Sequence, residues 1–136
     1  MCRSIEGCRL YASPAYLKRH GMPDFSRDGF GSDLVVMPEA LADMVAETAW
    51  LRANLGQARV AFRSNSREAQ AAAAAAGAGL ACLACPLGDR WNGLVRVATP
   101  EPVPAREVWL GMHPDMRSVS RVRVLADFLV DGLRSL

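Results

Sequence analysis

The segment from residue 63 to residue 86, RSNSREAQAAAAAAGAGLACLACP, constrains the fold more than any other part of the chain. Its six consecutive alanines predict a helix, since alanine has the highest helix propensity and its small side chain lets a helix lie close to a sheet. Asn65, followed three residues later by Glu68, resembles a capping box at the start of this helix. Gly77 and Gly79 after the alanine tract predict where the helix ends.

Apolar runs on both sides of this helix predict strands. Residues 58–64 alternate Val60 and Phe62 with arginine and alanine, and residues 80–84 form a continuous apolar run that is typical of a buried strand. A strand–helix–strand unit of this kind predicts a right-handed crossover between two parallel strands.

The rest of the chain continues the same alternation. Further strands are predicted at residues 9–12, 34–38, 94–99 and 106–113. Further helices are predicted from Ser13 to Gly21, over residues 40–55 and from Ser120 to Leu133. Alternating strands and helices predict an α/β fold with a mainly parallel sheet flanked by helices.

Composition and charge exclude several classes of function. The 136 residues suffice for one domain, the net charge is +2, and the arginines are scattered, so we expect no direct DNA contact by this chain. The first ten residues carry charges and do not resemble a secretory signal. The longest uncharged run, residues 69–88, is mostly Ala and Gly, so we expect no membrane span and a cytoplasmic protein.

The pair Cys82 and Cys85 has the spacing of a zinc or redox motif. Cys2 and Cys8 are separated by five residues, which is wide for a zinc knuckle, and no other ligands stand at a favourable spacing. We interpret these cysteines as small buried residues and predict no metal and no cofactor. A small thiol enzyme using Cys82 and Cys85 remains an alternative.

No catalytic pattern stands out in the sequence. His20 and His113 lie in no metal-binding spacing, and neither a nucleophile elbow nor a phosphate loop is present, so we predict that the protein is not an enzyme. Trp50, Trp91 and Trp109 lie in apolar contexts and are predicted to pack in the core.

The polar triplet Ser64, Asn65 and Ser66 lies between a predicted strand end and a predicted helix start. Helix N-termini at the carboxyl ends of strands present unpaired N–H groups and a partial positive charge, which suit a carboxylate or another anion. The alternative interpretation is that the triplet only caps its helix.

Four stretches occur in the order LYASPAYLKRHG, RSNSREAQAAAAAAGAGLACLACP, LVRV and REVWLGMHPDMRSVSRVRVLADFL. Together they resemble the effector-binding domain of bacterial LysR-type transcriptional regulators, from about Arg9 to Leu133. The resemblance implies a fold like that of type 2 periplasmic binding proteins, in which two α/β subdomains enclose a small-molecule effector.

When the chain is aligned with this family, the resemblance implies that residues 1–136 form a single, partial effector-binding domain without a DNA-binding domain. The resemblance implies a second subdomain at about 12–108, crossover strands at about 8–12 and 106–112, and a C-terminal helix at about 118–134. It also implies that Ser64, Asn65 and Ser66 face a small, anionic effector, with Ser13 as a weaker candidate near the hinge.

The final helix has an apolar stripe that would normally pack on the first subdomain. We expect this stripe to be exposed, to dock back onto the sheet, or to mediate association with a second copy or with other regulator chains. The chain is therefore predicted to be an effector sensor, and the alternative is an interaction fragment that binds itself or full-length regulators.

Overall fold

The computed structural model describes residues 2–135, with side chains from residue 7 onward. Contacts divide the chain into two units, one formed by residues 7–104 and the other by the described parts of 1–6 and 105–136. The chain thus passes between the units at residues 6–7 and 104–105. The strand at 8–12, expected as a crossover strand, lies wholly inside the first of these units.

The strands are β1 (Cys2–Glu6), β2 (Cys8–Ala12), β3 (Asp33–Val36), β4 (Arg59–Arg63), β5 (Leu80–Ala84), β6 (Val95–Val97) and β7 (Arg106–Leu110). The α-helices are α1 (Pro14–His20), α2 (Glu39–Ala42), α3 (Ala46–Asn54), α4 (Arg67–Ala75), α5 (Cys85–Gly88) and α6 (Ser120–Arg134). None of the helices within residues 2–135 combines the length and the apolarity that crossing a bilayer requires.

The unit of residues 7–104 contains a mixed five-stranded sheet in the order β4-β3-β5-β2-β6. Leu34 of β3 pairs in parallel with Val60 of β4 and with Leu80 of β5, so the predicted parallel arrangement of β4 and β5 is confirmed, with β3 between them. β2 runs antiparallel to both β5 and β6, and it alone opposes the direction of the other four strands. The α/β class is confirmed, and the antiparallel ladders are those of β2.

The core lies on both faces of this sheet, because successive strand residues point to opposite sides. Leu10 and Cys82 pack with Trp50 on the face covered by α3. On the other face, the alanine-rich α4 places Ala71 and Ala74, both fully buried, against the sheet. The alanine tract therefore lets α4 approach the strands closely, as predicted from its small side chains.

The helix predicted over residues 40–55 is divided in two. The helix α2 ends at Ala42, and Val45, whose backbone is extended (φ −119°, ψ 134°), is the N-cap from which α3 starts one residue later. A β-branched residue adopts extended backbone readily. Leu51 in α3 is buried, whereas Met44, between the two helices, is 79% exposed. The periodicity of the apolar residues could not show this break, because it continues through both helices.

The second unit pairs β1 with β7 in antiparallel register, and α6 contacts both strands. β1 was not predicted, because its pairing depends on residues about a hundred positions further along the chain. Among the described residues, no side chain of α6 is fully buried. In its apolar stripe, Leu125 and Leu129 are 56% and 39% exposed, whereas Val122 and Leu133 are half-buried. Trp109 on β7 is 55% exposed, so its predicted core position is wrong, whereas Trp50 is buried and Trp91 is half-buried.

Candidate functional site

The triplet Ser64–Ser66 forms the turn between the carboxyl end of β4 and the start of α4. The Ser64 N–H donates to the Val36 carbonyl at 3.0 Å, which extends the parallel ladder by one residue and fixes the turn beside the end of β3. The Ser64 hydroxyl accepts a hydrogen bond from the Ser66 N–H at 3.1 Å. The turn is therefore held in one conformation by its own first residue.

The N-cap of α4 is Ser66 and not Asn65. Its backbone is extended, and its hydroxyl oxygen accepts from the Ala69 N–H at 3.2 Å, which is the geometry of a serine cap. Glu68 then occupies the second helical position, so the predicted capping box of Asn65 and Glu68 is wrong. The helix starts one residue later than the sequence pattern indicated.

The start of α4 leaves backbone donors open to solvent. Within the described residues, the N–H groups of Asn65, Arg67 and Glu68 have no hydrogen-bond partner. Asn65 is exposed at the surface, and the helix dipole adds a partial positive charge at this end. This arrangement suits an incoming anion.

A cavity of about 230 Å³ lies beside the turn, between the sheet and the helices α2 and α3. Its apolar wall includes Val36, Leu51 and Val60, and Arg63 and Arg67 line it on either side of the triplet. The triplet therefore stands at the border of a small, partly apolar cavity.

The Arg67 side chain is held in an ion pair with the buried Glu47, whose side chain is 7% exposed. Arg67 also donates to the side-chain oxygen Oε1 of Gln70 at 3.1 Å, and the side-chain Nε2 of Gln70 donates to the backbone carbonyl of Ser64 at 2.6 Å. Sequence reasoning missed this network. One signal was present in the sequence: Glu47 lies three residues before Trp50, on the same face of the helix. An acid on a face that is buried indicates a basic partner.

Arg63 differs from Arg67 in its charge environment. Its guanidinium donates to the Met37 carbonyl at 3.0 Å, and within the described part of the chain it has no carboxylate partner. The side chain is exposed at the cavity border, so Arg63 offers a positive charge that no neighbouring acid neutralises.

Ser13 lies away from the triplet. It is the buried N-cap of α1, where its hydroxyl accepts from the Tyr16 N–H at 3.0 Å. A methyl group added to Gly77 would lie 3.8 Å from the Ser13 hydroxyl, so Ser13 is near the C-terminal end of α4. The structure thus places Ser13 and the triplet at opposite ends of α4, whose 9 residues span about 13 Å at the rise of an α-helix.

A second group of polar side chains surrounds Asp33, the first residue of β3, at the end of the parallel strands opposite the triplet. The Asp33 carboxylate accepts from Arg59 at 2.8 Å and lies 3.7 Å from His20, which stacks on the ring of Tyr16. Burial raises the pKa of the Tyr16 hydroxyl, which accepts from the Asp33 N–H at 2.7 Å. His20 ends α1 and belongs to this structural cluster, as expected for a histidine in the last helical turn.

The two cysteines of the Cys-x-x-Cys pair differ in their surroundings. Cys82 is 4% exposed and lines the inner wall of the cavity beside the turn, and Cys85 is half-buried at the start of α5. Among residues 7–135, no three His, Cys, Asp or Glu side chains lie close enough to hold a metal ion.

Comparisons with known proteins agree with this architecture. Residues 6–134 match the family model described as the LysR substrate binding domain. The regulatory domain of CrgA from Neisseria meningitidis is 26% identical with a TM-score of 0.66, over 95% of this chain and 65% of that one. A search of curated protein sequences found no match.

Two solved structures of AphB share the fold at lower identity. The regulatory domain from Vibrio vulnificus is 20% identical with a TM-score of 0.61, over 96% of this chain and 66% of that one. Full-length AphB from Vibrio cholerae is 20% identical with a TM-score of 0.65, over 97% of this chain and 46% of that one. This chain spans about two thirds of the solved regulatory domains and less than half of full-length AphB. It belongs to the LysR substrate-binding domain family, whose members are regulatory domains of transcription regulators and not enzymes.

Proposed function

We propose that this chain is the effector-sensing part of a bacterial LysR-type transcription regulator and that it binds a small anion at the turn Ser64–Ser66. The observation that carries the proposal is the set of open N–H donors of Asn65, Arg67 and Glu68 at the start of α4. A regulator of this kind acts on DNA in the cell interior, so we expect the protein in the cytoplasm.

The neighbouring side chains favour a carboxylate with a short apolar body. Arg63 supplies a positive charge that no acid neutralises, whereas the charge of Arg67 is balanced by Glu47. The cavity of about 230 Å³ has apolar walls at Val36 and Val60, so it accommodates only a small organic group. An anion at the turn would extend such a group into the cavity.

Thermal unfolding in the presence of benzoate, succinate or inorganic phosphate, each at constant ionic strength, tests this proposal. At least one of these anions should raise the Tm, because a ligand that binds only the folded state stabilises it. Arg63→Gln and Ser66→Ala should reduce that rise by at least about half, since each removes part of the anion site.

Two matched controls lie at the other end of α4. Ser13→Ala also removes a helix cap, and Arg19→Gln also removes an exposed arginine, one that contacts the Gly77 carbonyl. The ligand-induced rise in Tm should persist in both controls. Equal losses in the controls and in the site variants, or no rise with any of the anions, would contradict the proposal.

A second candidate function is an interaction fragment that associates with itself or with full-length regulators and senses nothing. The observation that favours it is the apolar outer face of α6, where Val124 and Phe128 are 70% and 73% exposed. Co-purification with a full-length LysR-type regulator, unaffected by Arg63→Gln, would support this candidate over effector sensing.

A further inference from the structure

We propose that Glu47 restricts the ligand of the cavity beside the turn to a small monocarboxylate, because it occupies Arg67, which could otherwise bind a second carboxylate. This inference rests on the proposed function, since it takes anion binding at the turn Ser64–Ser66 as given, and it adds the number of charges that the ligand carries. It depends only on residues 7–104, which form one compact unit.

Two arginines border the cavity on either side of the triplet, Arg63 and Arg67. Two guanidinium groups at one cavity would suit a dicarboxylate, since each guanidinium binds one carboxylate through a pair of N–H donors. A third arginine that lines the cavity, Arg52, is already paired with the Asp43 carboxylate at 2.9 Å. The charge that a ligand can carry therefore depends on whether Arg63 and Arg67 are both available to it.

The guanidinium of Arg67 is already bound within the protein. One terminal nitrogen, Nη2, forms the ion pair with the Glu47 carboxylate, and the other, Nη1, donates to Oε1 of Gln70 at 3.1 Å. Glu47 also lines the cavity, and its side chain is only 7% exposed. A ligand would have to break a largely buried ion pair to reach the Arg67 guanidinium, which is strongly unfavourable.

The guanidinium of Arg63 remains available to a ligand. Its Nη1 donates to the Met37 carbonyl at 3.0 Å, its side chain is exposed, and within residues 7–135 no carboxylate pairs with it. A guanidinium carries several N–H donors, so this single contact leaves others for one incoming carboxylate. Of the two arginines beside the triplet, one thus serves the ligand, and it serves one carboxylate.

A second carboxylate on the ligand would enter unfavourable surroundings. The apolar part of the cavity wall includes Val36, Leu51 and Val60, which cannot solvate a charge. The carboxylates of Glu47 in the wall and of Glu39, which lines the cavity and is exposed, would repel it. We therefore expect the cavity to take a monocarboxylate with an uncharged, apolar body and to discriminate against a dicarboxylate of the same length.

Two pairs of ligands with matched carbon frames test this charge limit: butyrate with succinate, and benzoate with terephthalate. Each Kd is measured near neutral pH and at constant ionic strength by titration of the ¹⁵N-labelled chain. The wild-type chain should bind each monocarboxylate at least about tenfold more tightly than its dicarboxylate partner. Equal or tighter binding of either dicarboxylate would overturn the proposal.

Glu47→Gln tests the residue itself. The substitution frees Arg67 for a second carboxylate, so the ratio of the dicarboxylate Kd to the monocarboxylate Kd should fall at least about tenfold. Asp89→Asn is the matched control, because it breaks an ion pair with Arg96 between residues that do not line the cavity, and it should leave the ratio within about threefold of wild type. A purely structural role of Glu47 would weaken both ligands alike, and an unchanged ratio in Glu47→Gln would overturn the proposal.

The double variant Glu47→Gln/Arg67→Gln keeps the proposal testable if Glu47→Gln fails to fold, because it leaves no unpaired buried charge. With Arg63 alone left to bind a carboxylate, the double variant should still prefer the monocarboxylate by about threefold or more. A preference of the double variant for the dicarboxylate would overturn the proposal. If none of the four ligands binds the wild-type chain, the anion site of the proposed function fails as well, whereas binding without a charge preference contradicts only the role of Glu47.

Discussion

The carboxylate of Glu47 on α3 forms an ion pair with the guanidinium of Arg67, the first residue of α4, with side chains 7% and 18% exposed. This contact joins two helices beside the turn Ser64–Ser66. Because Gln70 links Arg67 to the Ser64 carbonyl, the same network positions the donors at the start of α4. The rigidity of the proposed anion site therefore depends on a buried acid that does not itself belong to the turn.

Replacement of one member of this pair should destabilise the protein strongly. Glu47→Gln leaves the Arg67 charge largely buried without its counter-ion, and we expect the free energy of unfolding to fall by about 3 kcal/mol in urea denaturation. Asp43→Asn breaks the exposed 2.9 Å pair of Asp43 and Arg52 and should cost less than about 1 kcal/mol. Similar losses in the two variants would contradict the structural role of Glu47.

The identity of the α4 cap can be tested by alanine substitution. Ser66→Ala removes the acceptor for the Ala69 N–H and should lower the free energy of unfolding by about 1 kcal/mol. Asn65 makes no cap hydrogen bond, so Asn65→Ala should change the same quantity by only about 0.3 kcal/mol. Urea denaturation measures both variants. If Asn65→Ala lowered the free energy of unfolding more than Ser66→Ala, Asn65 and not Ser66 would be the N-cap of α4.

Gly88 allows a close approach between α5 and β2. A methyl group at this position would overlap the ring of Tyr11, which is fully buried, so Gly88→Ala should cost about 2 kcal/mol or more in the free energy of unfolding. Gly132 on α6 has open space around it, and Gly132→Ala should be neutral or stabilising by up to about 1 kcal/mol. Thermal unfolding at low protein concentration compares the stability of the two variants. If Gly88→Ala did not lower the stability, the ring of Tyr11 would be able to move away from the added methyl group.

Asp89 should make stability sensitive to acid. Hydrogen bonds from Arg96, at 2.8 and 2.5 Å, and then from the Tyr11 hydroxyl, at 2.8 Å, lower the Asp89 pKa to about 2. Since the pKa is lower in the folded state than in the unfolded state, the stabilisation is present above about pH 4 and is lost as the pH falls toward 2.

The size of this effect is limited by solvent, because 40% of the Asp89 side chain is exposed. We expect wild type to exceed Asp89→Asn by about 1 kcal/mol in the free energy of unfolding at pH 5, and this difference should shrink toward zero near pH 2. Urea denaturation of both proteins at several pH values measures it. A difference that stays constant over this range would mean that Asp89 gains nothing from ionisation.

The features that the sequence predicted correctly depend on neighbouring residues along the chain. The alanine tract and the glycines after it define α4 locally, and the parallel order of β4 and β5 follows from the short connection through this helix. The one-residue error at Ser66 arose because Asn65 and Ser66 are both good caps, and local sequence does not choose between them.

The features that the sequence could not predict depend on contacts between distant residues. Ser13 lies at the end of α4 opposite the triplet, because β2 runs antiparallel to β5, and its role near the effector stays a prediction. The direction of β2 depends on its pairing with residues about 70 positions away, as in the pair of Leu10 and Cys82, so no pattern in the neighbouring sequence indicates it. The partnership of Glu47 with Arg67 is of the same kind, since it appears only when α3 and α4 are folded beside the sheet.

The central claim is that the turn Ser64–Ser66 presents main-chain donors to a small anion. Titration of the ¹⁵N-labelled chain with benzoate, succinate or phosphate, followed by amide chemical shifts, measures this directly. We expect the largest saturable shifts at the amides of Asn65, Arg67 and Glu68, with smaller ones around Arg63. Saturable shifts centred on Ser13 and Asp33, or none with any of these anions, would contradict it.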